Sequence, residues 1–221
     1  MLYHLLYEFL NPFGVYWSPL KAFNVIQYVT FRTAGATLTA LLISLLLGPW
    51  LIRRLQEFQI GQHIREEGPK SHKAKAGTPT MGGVLIAVSI LLPTLLWANL
   101  RNPFVWLVAV STLAYAGIGF ADDYLKIRHK RNLGLTAAQK ITLQFMVSFL
   151  IGTFLLYLAR RHMYSTTLTV PFFKSLHPDL VIVSLLSGPM FFLGYVPFPI
   201  FVASLIVGSF NAVNLTYGLD G

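Results

Sequence analysis

Charged residues cut the chain into uncharged, mostly apolar blocks of membrane-crossing length. Residues 33–52 (20 residues), 76–100 (25), 102–121 (20) and 141–159 (19) each run without a charge. At about 1.5 Å of rise per helical residue, each block reaches across a hydrocarbon layer of roughly 30 Å. A helix also satisfies its own backbone polar groups in lipid. A fifth uncharged block, 180–219, is 40 residues long and is broken by Gly188, Pro189, Gly194, Pro197 and Pro199. Proline inside a helix removes a hydrogen bond and clashes with the preceding turn. The pattern therefore predicts an interfacial or partly inserted segment near 180–195, then a fifth span from about Pro197 to Val213. The predicted fold class is all-α: a polytopic membrane protein with about five transmembrane helices, read as one integral membrane domain over 1–221.

Lys and Arg set the orientation. The loop near 53–79 carries Arg53, Arg54, Arg65, Lys70, Lys73 and Lys75, and the loop near 122–140 carries Lys126, Arg128, Lys130, Arg131 and Lys140. The opposite side has Lys21, Arg32, Arg101, Arg160, Arg161 and Lys174, spread over three segments. The bias predicts an N-terminus outside and both basic loops in the cytoplasm. Trp17, Trp50, Trp97 and Trp106 fall near predicted span ends, as interfacial aromatics do.

Composition agrees with lipid as the main solvent. Charged residues make up 11% of the 221 residues and apolar ones 55%, against about 25% charged in soluble domains. The net charge of +9 sits in the basic loops, so it points to membrane topology and not to nucleic acid. With no cysteine, disulfide and thiolate chemistry are excluded. The six histidines are scattered without i,i+4 pairs, and no ligand role is assigned to them.

Three polar clusters then stand out at one face of the membrane. The first runs from Lys73 and Lys75 through Thr78, Pro79, Gly82 and Gly83. Thr78 and Pro79 read as a helix cap and first turn. A helix N-terminus near lysines favours a phosphate or diphosphate, although such lysines also satisfy the orientation bias alone. The second is Asp122 and Asp123, expected to close the third span. There they oppose the helix dipole and repel each other. A divalent cation or a transferable proton relieves that strain, and so does headgroup water with Asp123 paired to Lys126. The third is Asn211, Asn214, Thr216 and Asp220 at the end of the fifth span. Its amides suit a nucleotide or sugar, and its composition also suits a helix terminus.

Together the stretches Gly68–Gly83, Gly119–Tyr124 and Asn211–Gly221 resemble the bacterial phospho-N-acetylmuramoyl-pentapeptide-transferases, a branch of the polyprenyl-phosphate N-acetylhexosamine-1-phosphate transferases. The resemblance implies transfer of phospho-N-acetylmuramoyl-pentapeptide from UDP to undecaprenyl phosphate. The products would be UMP and lipid I, the first lipid intermediate of peptidoglycan. It implies Mg2+, a bacterial inner membrane and an active site facing the cytoplasm. Asp122 and Asp123 match the family's catalytic carboxylates, one deprotonating the lipid phosphate or, by another route, attacking as nucleophile. The resemblance implies that both also serve as magnesium ligands. Lys73, Lys75, Thr78, Lys126, Lys140, Asn211, Asn214 and Asp220 match substrate-binding positions. The expected partners are the UDP-linked donor, undecaprenyl phosphate and the bilayer, without nucleic acid; a homodimer is one expected assembly.

Two departures shape the expectation. Tyr217 stands where the family carries aspartate, and the chain stops at Gly221 inside a motif while the family continues with further spans and magnesium ligands. The 221-residue chain is therefore expected to be inactive alone. A sugar-1-phosphate transferase using N-acetylglucosamine, or a non-catalytic membrane module, are the competing functions. A donor swap tests the first. Cytoplasmic accessibility of the aspartate pair tests the second, since transporters hold ionisable groups near mid-membrane.

Overall fold

The structure, a computed structural model, describes residues 1–57, 81–129, 134–173, 175–183 and 188–220, and of residues 56, 188–190 and 215–220 the backbone alone. Five α-helices are present among the described residues: α1 Val29–Glu57, α2 Gly83–Trp97, α3 Pro103–His129, α4 Ala137–Arg160 and α5 Pro197–Asp220. Four stretches are long and apolar enough to cross a membrane, Val29–Leu55, Pro103–His129, Ala137–Arg160 and Phe191–Asn214, with Gly83–Trp97 a shorter apolar helix. The chain is an all-α polytopic membrane protein. Its compact units, Met1–Leu135 and Thr136–Gly221, are described in turn.

In the first unit a π-helical turn, Tyr3–Leu10, and two 3-10 segments, Asn11–Val15 and Ser18–Gln27, lead into α1. The helices meet through small residues. A Cβ on Gly35 would lie 2.8 Å from the Trp97 ring, so glycine lets that indole lie against α1. Trp97 Nε1 donates to Thr39 Oγ1 at 3.0 Å, and Phe31 meets the same ring edge-on. The outward faces are apolar, with Leu46 74% and Val110 60% exposed, as a lipid-facing surface requires.

Two sequence expectations are corrected here. The second span does not run unbroken from Pro79 to Leu100. Met81 has φ +73°, a left-handed conformation that no α-helix continues through, and α2 begins only at Gly83. Its 15 residues rise about 22 Å, less than the hydrocarbon thickness. The cap at Thr78 lies outside the described residues. The third span does not end at Ala121 either. It continues to His129, with Lys126, Arg128 and His129 in its last turn, where cations favour the helix dipole. Residues 122–129 and 137–140 of the loop expected over 122–140 are thus helical.

The second unit inverts the usual burial pattern. On α4 the residues closed off from the surface are Gln144, Ser148, Gly152 and Leu158, and the first three recur every four positions on one face. Apolar neighbours such as Met146 and Leu150 point outward. Small and polar residues let helices approach and bond where lipid offers no hydrophobic drive between them. α5 supplies the other side: Phe198 and Ala203 are buried, and a Cβ on Gly152 would lie 2.7 Å from Pro199 Cα. α4 opens with a reciprocal cap, Gln139 N donating to Thr136 Oγ1 at 3.2 Å and Thr136 N to Gln139 Oε1 at 3.0 Å. Between the helices the chain folds back on itself, with Ile182 N donating to Gly194 O at 2.9 Å. Among the described residues of 180–195, Gly188–Tyr195 forms an eight-residue 3-10 segment. At about 2.0 Å per residue it rises roughly 16 Å, less than the hydrocarbon thickness.

The α4–α5 contact yields a first prediction. Gly152→Ala places a methyl group against rigid proline backbone and is expected to destabilise the unit by about 1–3 kcal/mol. Gly208→Ala, where no heavy atom lies within 4 Å of the added carbon, is expected to be neutral. Unfolding in mixed micelles with rising dodecyl sulfate compares the two; equal midpoints would disprove the close-approach argument.

Candidate functional site

The acidic pair lies inside α3, two turns before its end, so the expectation that it closes the helix is replaced by a different geometry. Adjacent helical positions point about 100° apart, yet both carboxylates converge on one ammonium group. Lys126 Nζ lies 2.6 Å from Asp122 Oδ2 and 3.2 Å from Asp123 Oδ1. The i,i+3 and i,i+4 spacings from Lys126 produce this arrangement. Asp122 is the more enclosed, with a side chain 14% exposed against 30% for Asp123. Its Oδ1 also accepts from Leu135 N at 2.8 Å, which ties the chain after α3 back onto the helix. A Cβ on Gly134 would collide with Asp122 O and Oδ1, so a residue without a side chain is needed where that segment passes the carboxylate.

The cluster holds two negative charges and one positive. Lys126 replaces the cation that the sequence argument asked for, and it leaves one net negative charge. Asp122 engages both Leu135 and Lys126, whereas Asp123 pairs with Lys126 alone among the described residues and is the more exposed of the two carboxylates. Hard carboxylate oxygens suit Mg2+, which commonly takes one or two carboxylates together with substrate phosphates. The donor set therefore fits one or two magnesium ligands and does not make a complete protein cage. No group of three or more His, Cys, Asp or Glu able to hold a metal occurs among the described residues.

In the second unit Asn211 is half-buried on α5. Its Nδ2 donates to Gln144 Oε1 at 2.7 Å and to Val207 O at 2.8 Å. Both amide hydrogens are thus directed into the helix pair. Asn214, one turn on, is exposed. The backbone stays helical through Asp220, so this motif does not terminate the helix at its asparagines. Lys140 sits half-buried in the first turn of α4. Lys73, Lys75 and Thr78 lie outside the described residues, as do the side chains of Tyr217 and Asp220.

Two participants escaped the sequence argument. One is Gln144, fully buried and bonded to Asn211; a glutamine within an apolar span was the signal for it. The other is the Gly134–Leu135 backbone that binds Asp122, for which spacing offers no signal.

An α-helical membrane scaffold carrying a paired carboxylate and lysine at the basic end of one helix defines a class. Residues 105–221 match the profile of glycosyl transferase family 4, and the chain belongs to that family. Within it, residues 75–86 match phospho-N-acetylmuramoyl-pentapeptide-transferase signature 1. Proteins named phospho-N-acetylmuramoyl-pentapeptide-transferase resemble the chain over its whole length. That of Acidobacterium capsulatum is 58% identical with 57% of its own length covered, that of Koribacter versatilis 55% with 58% covered, and that of Desulfatibacillum aliphaticivorans 51% with 55% covered. The chain thus spans somewhat over half the length of these relatives.

Proposed function

We propose that the chain forms part of a transferase that moves phospho-N-acetylmuramoyl-pentapeptide from its UDP-linked donor to undecaprenyl phosphate, giving lipid I and UMP in a bacterial inner membrane. The observation that carries this reading is the Asp122–Lys126–Asp123 cluster on the basic end of α3, in a chain of this family. In the reaction an oxygen of the lipid phosphate attacks the phosphorus bonded to the sugar. The bond from that phosphorus to the bridging diphosphate oxygen breaks, and UMP leaves with the electron pair. Phosphoryl transfer of this kind is driven mainly by positioning and charge neutralisation. Magnesium, when bound, supplies charge neutralisation on the diphosphate, and Asp123 with Asp122 beside it would hold it.

The protein's own groups divide the remaining work. The Asp122 and Asp123 carboxylates are the bases available for a proton on the lipid phosphate. Lys126 keeps the pair from carrying its full charge toward an anionic substrate. Lys73, Lys75, Thr78 and Lys140 are assigned to donor phosphates, and Asn214 and Asp220 to its uridine or sugar; Asn211, whose amide hydrogens are held by Gln144 and Val207, is assigned to positioning α5 and not to direct contact. To test this, the chain is completed with the remaining sequence of the Koribacter versatilis relative. UMP release and lipid-linked product are then measured with the muramoyl donor and with UDP-N-acetylglucosamine. Turnover confined to the muramoyl donor is expected; turnover confined to the other donor would sink the assignment.

The topology has its own test. Because the chain lacks cysteine, Tyr124→Cys and Arg101→Cys each create a lone thiol, at residues 48% exposed and with a side chain 76% exposed respectively. A membrane-impermeant maleimide added to intact cells is expected to label position 101, and position 124 only after the inner membrane is opened. The reverse order would place the acidic pair on the wrong side.

A further inference from the structure

At the end of the first unit opposite the acidic pair lies a second polar site, which the transferase reading does not use. A cavity of about 380 Å³ opens where α1 and α3 begin and α2 ends, with Arg32, Thr33, Trp97, Asn99 and Asn102 on its walls. Its volume is within the roughly 300–1,000 Å³ of ligand pockets. No carboxylate lines it. Arg32 forms no ion pair among the described residues; its guanidinium stacks 4.5 Å over the Tyr3 ring, and its Nε is buried without a hydrogen-bond partner. Glu8, the acidic side chain of the same end, is engaged by His4 at 2.9 Å and Arg101 at 3.1 Å.

The backbone adds to the same sign of field. Val29, the first residue of α1, and Val105, in the first turn of α3, both border the cavity, and helix N-termini carry partial positive charge. The opposing dipole of α2 is offset, because the Met1 ammonium donates to Leu95 O and Leu96 O at 2.8 and 3.1 Å. A positively biased, carboxylate-free pocket with an arginine fork and amide donors matches a phosphate oxyanion. Its position at the ends of membrane-crossing helices, beside Trp97, is the depth at which lipid headgroups lie.

We propose that this cavity binds the phosphodiester of an acidic phospholipid in the leaflet opposite the basic loops, with Arg32 as the charged anchor and Asn99 and Asn102 as its polar partners. The purified 221-residue chain, held in phosphatidylcholine nanodiscs, is titrated with short-chain phosphatidylglycerol, and bound lipid is counted by native mass spectrometry. In parallel, glycerol 1-phosphate in solution tests a water-borne phosphate.

Phosphatidylglycerol is expected to bind at least tenfold tighter than short-chain phosphatidylcholine at one site. Arg32→Gln is expected to abolish that preference. Ala36→Leu, which fills the cavity and keeps the guanidinium, is expected to do the same, and it decides the question if Arg32→Gln does not fold. Lys21→Gln, at an exposed lysine of the same end that does not line the cavity, is expected to retain it. Equal binding of the two lipids, or an undiminished preference in the folded Arg32 and Ala36 variants, would overturn the proposal. So would Arg32-dependent binding of glycerol 1-phosphate without retention of phosphatidylglycerol.

Discussion

Asp122→Asn, made in the completed enzyme, is expected to lower transfer by about 10²–10⁴-fold, the range for losing a positioned acid–base group, with little change in thermal stability. The separation of the two effects comes from the geometry. Asparagine keeps an oxygen where Leu135 N–H now finds Asp122 Oδ1 at 2.8 Å, so the return of the chain onto α3 survives. What disappears is a negative charge 2.6 Å from Lys126 Nζ, and with it both the base and half of the carboxylate pair. Asp123→Asn removes the other charge and the oxygen assigned to magnesium. Its deficit is expected to shrink as magnesium is raised, whereas that of Asp122→Asn is not. Product formation by the Asp122 variant within tenfold of the parent would show that this carboxylate is structural.

The second large effect concerns Tyr217. A phenol titrates near pH 10, so it presents no anion at neutral pH to a metal or to a ribose hydroxyl, and it is bulkier than aspartate. Tyr217→Asp in the completed enzyme is expected to raise turnover by about tenfold or more, since hydrogen bonds to a charged group contribute about 1.5–3 kcal/mol. Tyr217→Asn separates charge from size: if relieved bulk were the cause, asparagine would rescue as well as aspartate. An unchanged rate in the aspartate variant would remove Tyr217 from the account of activity.

The spans were legible in the sequence because charge and length obey the bilayer. Arg32 and Arg53 bracket α1, and Lys140 and Arg160 bracket α4, within a few residues. The ends were misjudged where a helix continues into water. Asp122 marks the end of the uncharged block and not of α3, since the helix goes on for another two turns to gather Lys126 beneath both aspartates. At Met81 one left-handed residue shortens α2, and a methionine gives no hint of positive φ. The candidate site was legible as residue types and as i,i+3 and i,i+4 spacings. The part that comes from chain return, Leu135 on Asp122 and Asn211 on Gln144, was not, because no local spacing encodes contacts 13 and 67 residues apart.

The fully enclosed amide of Gln144 bears on how the chain is made. α4 leaves the ribosome some fifty residues before Asn211, its partner on α5. During that interval the glutamine has no side-chain mate from α5, and an uncompensated amide in hydrocarbon costs several kcal/mol. Newly threaded α4 is therefore expected to linger beside the insertion channel until α5 arrives, so the two helices are released into lipid as a couple.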